Sequence, residues 1–162
     1  AWFASISKTE PIVINTGSLI AECHFYQGSD ANNDGIIEES EYQEITEGDL
    51  VFPNIIPGDQ FYFKLSITNQ GDVAGFLSIR ANGIETNYEQ LNNAFSFVFN
   101  SPDSETIPFT MGSILLFQNY ILGKAESYDF FFTVNISGET ENTIEGKYVT
   151  IDNFTVDLVQ YH

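Results

Sequence analysis

Phe61-Tyr62-Phe63-Lys64-Leu65-Ser66-Ile67-Thr68 alternates apolar and polar residues without a break. Successive side chains of an extended chain point to opposite faces, so Phe61, Phe63, Leu65 and Ile67 line one face. Tyr62, Lys64, Ser66 and Thr68 line the other, as in a strand with one wet side. Asn69-Gln70-Gly71-Asp72 then reads as a turn, and residues 73–81 run back with Leu77 and Ile79 inward. Tyr128, Phe130, Phe132, Val134 and Ile136 form a second clean apolar face, ended by Ser137-Gly138, and Phe154, Val156 and Leu158 form a third. Further strands are expected at residues 11–15, 19–26 and 94–99. Short helices are expected at residues 38–46 and 87–93, while residues 112–122 fit either a strand or a short buried helix. Many short strands punctuated by Gly, Pro, Asn and Asp predict an all-β chain. Its architecture is an antiparallel two-sheet sandwich, jelly-roll-like or immunoglobulin-like, with one or two short helices.

The 162 residues suit a single domain with a real core, and 15 Phe, 8 Tyr and one Trp supply bulk to fill it. Five Lys and Arg stand against 23 Asp and Glu, for a net charge of −18. Such a field repels phosphate backbones and anionic lipid surfaces, which disfavours nucleic-acid and membrane-surface partners. Like subunits also repel one another unless cations intervene. No apolar run approaches the roughly 18 residues that span a bilayer, so the mature chain is expected not to insert into a membrane. The opening Ala1-Trp2-Phe3, without an initiator Met, reads as a mature end left by signal-peptide cleavage, and the expected location is secreted, extracellular or on the cell surface.

Residues 30–41 read DANNDGIIEESE and match the twelve-residue calcium loop of an EF-hand in register. Asp30, Asn32 and Asp34 offer side-chain oxygens at the first, third and fifth places. Gly35 takes the sharp turn, Ile36 offers a backbone carbonyl, and Ile37 is the inward anchor. Glu38 ligates directly or through water, and Glu41 closes the shell with two oxygens. The competing reading is a solvated acidic turn rich in Asx hydrogen bonds. Because residues 19–26 look like a strand and no second copy of the loop exists, Ca2+ here is expected to clip two strands together. A signalling hand, by contrast, would open a groove.

Catalytic signatures are absent: no His-Glu-x-x-His helix, no Gly-x-Ser-x-Gly elbow and no phosphate-binding glycine loop. Cys23 and His24 are adjacent on an expected strand and face opposite sides, so they cannot readily act together. Cys23 reads as a small core residue and His24 as a surface one. The chain is expected not to be an enzyme. Asn135-Ile136-Ser137 and Asn153-Phe154-Thr155 are glycosylation sequons by pattern.

At the start of the chain, Trp2, Ala4 and Ile6 fall on one face of a strand-like segment and Phe3 on the other, before Pro11 interrupts continuous pairing. Two arrangements are open to residues 1–10. They can fold back as an edge strand of their own sandwich, but the expectation is that they cross to a neighbouring subunit as a donor strand, Trp2, Ala4 and Ile6 filling its core pockets, with residues 11–162 forming the single β-sandwich domain.

Three features in order carry a resemblance: the aromatic start Ala1-Trp2-Phe3, the segment Thr16-Gly17-Ser18-Leu19, and Asn54-Ile55-Ile56-Pro57-Gly58-Asp59 followed by the alternating strand and Asn69-Gln70-Gly71. Over residues 1 to about 80 the chain resembles the TasA and camelysin family of secreted bacterial fibre proteins, which has relatives among archaeal bundling pili. The resemblance implies a jelly-roll sandwich whose subunits join by lending an N-terminal strand to a neighbour. The chain lacks a zinc signature that would carry over the protease activity described for camelysin, and the calcium loop stands as an insertion. The expected function is a structural subunit of an extracellular filament, its partner a further copy of itself in a head-to-tail homopolymer stabilised by Ca2+. The alternative is a monomeric secreted calcium-binding adhesin or carbohydrate-binding module, with Tyr62, Tyr88 or Tyr120 stacking on sugar rings.

Overall fold

Among the described residues there are twelve strands. The computed structural model describes residues 3–6, 13–30, 32, 34, 36–45, 58–86, 89, 91–138 and 148–160. In order the strands are β1 (Phe3–Ile6), β2 (Val13–Thr16), β3 (Ala21–Gly28), β4 (Tyr42–Glu44), β5 (Gln60–Asn69) and β6 (Gly75–Thr86). They continue with β7 (Phe95–Phe99), β8 (Glu105–Pro108), β9 (Gly112–Leu122), β10 (Ser127–Ile136), β11 (Tyr148–Ile151) and β12 (Asn153–Gln160). Of these, β5, β6, β10 and β12 arise where the alternation predicts them, whereas β4, β8 and β11 were not expected. A single helical turn, α1 (Leu91–Ala94), precedes β7.

The strands form two sheets. One runs β4-β3-β5-β10-β7-β8 and is antiparallel throughout. In the other, β9 and β12 flank β6, and β11 pairs with the far end of β6. Outside these, β1 lies parallel to β11 and β2 parallel to β12. The two-sheet sandwich expected from the alternation is therefore the fold, with parallel pairs confined to one margin. Among the two arrangements open to the N-terminal segment, residues 3–6 of the single chain lie along their own β11, Ala4 opposite Val149 and Ile6 opposite Ile151.

Phenylalanines dominate the interface between the sheets. Phe132 of β10 lies 5.3 Å from Phe63, 5.3 Å from Phe130 and 5.4 Å from Phe154, ring centre to ring centre. Phe154 belongs to the opposite sheet and also stacks on Phe25 at 5.3 Å, so one ring joins both layers. Such contacts add directional quadrupole attraction to the burial of large apolar surfaces. Phe132→Ala, which empties the centre of this array, is expected to cost about 3–5 kcal/mol. A fall in the urea midpoint at unchanged slope measures it.

Two buried asparagines, Asn69 and Asn153, sit at strand ends. Asn69, fully buried, donates from Nδ2 to the Val73 carbonyl at 2.9 Å and the Leu122 carbonyl at 3.0 Å, while its Oδ1 accepts from the Gly71 amide at 2.8 Å. One side chain thus closes the β5–β6 turn and ties it to β9. Asn153 is buried and accepts from Asn82 Nδ2, which also donates to Thr155 Oγ1. Both polar residues of that sequon are therefore committed to sheet structure.

Three expectations need correction. Residues 38–46 do not form a helix: a 3-10 turn at Glu39–Glu41 gives way at once to β4. The turn ends because Tyr42 takes extended backbone angles and pairs with Gly28. The helix expected at residues 87–93 is described only as the one turn of α1, and residues 112–122 are strand. Lys64 sits on the outward side of β5 as expected but is buried, because Tyr26, Tyr42 and Phe131 close over it.

Candidate metal loop

Residues 29–41 leave β3 at Gly28 and return through the 3-10 turn to β4, so the acidic loop is the connection of a hairpin. The Ser29 amide donates to the Glu41 carbonyl at 3.1 Å, which closes the neck of the loop. Within it the Asp34 amide points at the Asp30 and Asn32 side-chain oxygens, 3.2 Å from each, and the Ile36 amide donates to Asp34 Oδ1 at 2.9 Å. Side-chain oxygens of Asp30, Asn32 and Asp34 thereby accept from amides of the loop itself, as a turn rich in Asx hydrogen bonds does. The Ile36 amide, first, and then the Asn32 and Asp30 side chains hold the Asp34 carboxyl below its ordinary range, although it is fully exposed.

The exit of the loop orients its last carboxylate. The Glu38 amide donates to Glu41 Oε1 at 2.9 Å, and the Glu38 side chain accepts from the Glu41 amide, a reciprocal capping box. Carboxylate oxygens of Asp30, Asp34 and Glu41 consequently lie within 4.8 Å of one another. An ion coordinated at roughly 2.3–2.6 Å separates opposed oxygens by about 5 Å. Three carboxylate oxygens at that spacing could hold a metal ion. Of the six residues expected to ligate, these three are brought together and Asn32 adjoins them through the Asp34 amide. Ile36 is an exposed side chain whose contribution would come from its backbone, and Glu38 is engaged as the cap.

Two apolar residues seat the loop. A Cβ placed on Gly28 would lie 2.8 Å from Ile37 Cγ2 and 2.8 Å from Tyr42 Cε1, closer than real Cβ contacts come. Ile37 therefore anchors the loop as expected, and Tyr42 closes on the same glycine from the far side. Tyr42 continues into the cage around Lys64, whose Nζ lies 4.3 Å from the Tyr26 ring centre and 5.3 Å from that of Tyr42. Glu39 of the 3-10 turn reaches the same ammonium at 3.7 Å. Gly28→Val is expected to unseat the loop without unfolding the sandwich. Amide hydrogen exchange checks this: Tyr42–Glu44 should lose protection while β5, β6 and β10 keep theirs.

Other expected residues fall elsewhere. Phe3, Ala4 and Ile6 are placed by backbone on β1, and Trp2 lies outside the described residues. Tyr120 packs against Tyr128 at 4.5 Å and Phe117 at 6.3 Å, so it belongs to an aromatic cluster and offers no free stacking platform. Tyr62 is half-buried and bonded to Gln60, and Tyr88 lies outside the described residues. Cys23 packs beside the core, and burial pushes its thiol up to about 11, with the Glu22 carboxylate adding to the shift.

Two clusters escaped the linear reading: the aromatic cage of Lys64, and His24 set between Glu22 and Glu44. Both draw residues from β3 and β4, whose pairing no local pattern announces. Among the described residues no helix is long and apolar enough to cross a membrane. The chain matches no protein-family model, no curated protein and no solved structure.

Proposed function

We propose that this chain is the subunit of an extracellular filament, joined head to tail by exchange of residues 1–10 and stiffened by calcium in the 30–41 loop. The observation that carries the reading is the position of β1. It is a four-residue strand at the margin of its sheet, with β11 as its backbone partner. An edge strand held by so short a ladder can be replaced by the same strand of another copy, with every hydrogen bond preserved. Exchange of one strand in one direction does not close on itself, and it builds an open fibre.

Calcium enters the proposal through charge as well as shape. Subunits of net charge −18 repel at contact, and each bound ion removes two negative charges while holding the hairpin rigid. The resemblance read from residues 1 to about 80 supports the same function and the same secreted setting. Negative-stain imaging of the full chain with calcium and with chelator tests it. Filaments support the reading, and discrete particles under every condition favour the monomeric binding module.

A further inference from the structure

His24 stands on the outer face of β3 with a carboxylate at each ring nitrogen. Glu44 Oε1 lies 2.6 Å from Nδ1, and Glu22 Oε1 lies 3.2 Å from Nε2. A neutral imidazole has one N–H and one lone pair, so it satisfies one of these carboxylates and sets its lone pair against the other. The imidazolium donates to both. Glu44 closes β4, a three-residue edge strand whose pairing with β3 runs from Tyr26 to Gly28. This is the strand by which the metal loop returns to the sheet.

We propose that protonated His24 is a latch on the metal loop, clamping β4 onto β3, and that the loop's hold on calcium weakens as the imidazole loses its proton. The latch itself stands on the geometry of β3 and β4, while its consequence for calcium rests on the function proposed above.

The surroundings make His24 the group that decides. Its own strand presents Glu22 and Tyr26, the latter ring 6.5 Å away. From β4 comes Glu44. On β5 Ser66 stands opposite, between Lys64 and Thr68, and Asp129 of β10 accepts from Ser66 Oγ at 2.7 Å. Gln70 donates to the second oxygen of Glu22 at 3.1 Å, which holds that carboxylate in place. Imidazole is the one side chain here whose ordinary range lies near neutral pH. Its bond to Glu44, then that to Glu22, raises it above the ordinary 6.5. A group raised in the folded state stabilises fully below its unfolded value, so the clamp is intact below about pH 6.5 and is lost as pH climbs through the raised value.

Calorimetric titration of calcium chloride into the full chain, from about pH 6 to about pH 8.5, reads the coupling. The exposed pairs set its scale, so the wild-type Kd is expected to weaken about two- to five-fold across that range. His24→Gln should show a flat profile at the wild-type high-pH value. A pH profile unchanged by His24→Gln overturns the coupling. A second measurement needs no metal: protection of the Tyr42–Glu44 amides, corrected for intrinsic exchange, should fall with rising pH in the wild type and not in His24→Gln. Protection independent of pH in the wild type overturns the latch. A chain that binds no calcium at any pH sinks the metal reading instead, and the latch is then judged on exchange alone.

Discussion

Removing residues 1–10 is expected to leave a folded, calcium-binding subunit that forms no filaments. The deletion takes away β1 but leaves β2 to β12, and with them the phenylalanine array that joins the sheets. What it exposes is the outer edge of β11, where Val149 and Ile151 are core residues. A truncated subunit can therefore accept a strand but cannot donate one. Two measurements check this. Negative-stain images of the truncated protein alone should show single particles under conditions where the full chain polymerises. Added in small amounts to the full chain, it should cap growing ends and shorten the filaments. Filaments of normal length from the truncated protein would refute strand exchange outright. Because each subunit carries −18, growth of the intact chain should also respond strongly to ionic strength.

Glu41→Gln should weaken calcium binding by roughly tenfold or more, about 1.4 kcal/mol for each factor of ten. The replacement keeps the length of the side chain and its place in the capping box. It removes the charge at the position where Asp30, Asp34 and Glu41 converge. An amide offers one carbonyl oxygen where the carboxylate offers two, so the ion loses both a charge and a ligand. Calorimetry of the variant beside the wild type measures the loss. Metal that binds only the folded chain raises its melting temperature, so the wild-type gain on adding calcium should shrink in the variant. Equal affinities would mean that the loop is a solvated acidic turn. Asp34, whose carboxyl the Ile36 amide holds below its usual range, should remain a ligand at mildly acidic pH.

The strand pattern and the acidic loop lie within short stretches of chain, and that is why both could be read from the sequence alone. Alternation over eight residues is a local consequence of side chains pointing to opposite faces, and it identified β5, β10 and β12 with their inward residues. The ligand order of residues 30–41 is likewise local, and Asp30, Asp34 and Glu41 meet as their spacing implied. Helix and strand near the loop exit were confused because residues 38–46 carry the charge and spacing of a short helix. Only the pairing of Tyr42 with Gly28 draws them into a strand. Everything that depends on which strand lies beside which had to come from the tertiary structure. Lys64 reads as a solvent-facing charge until Tyr26 and Phe131, from two neighbouring strands, and Tyr42 from the edge close over it. His24 reads as an idle surface residue until β4 brings Glu44 to its ring. The N-terminal segment reads as a strand without a partner until β11, some 145 residues downstream, supplies the parallel edge it lies on. Local backbone geometry writes periodicity into the sequence, but neighbours in a sheet are chosen by burial of the whole core, which no short window contains.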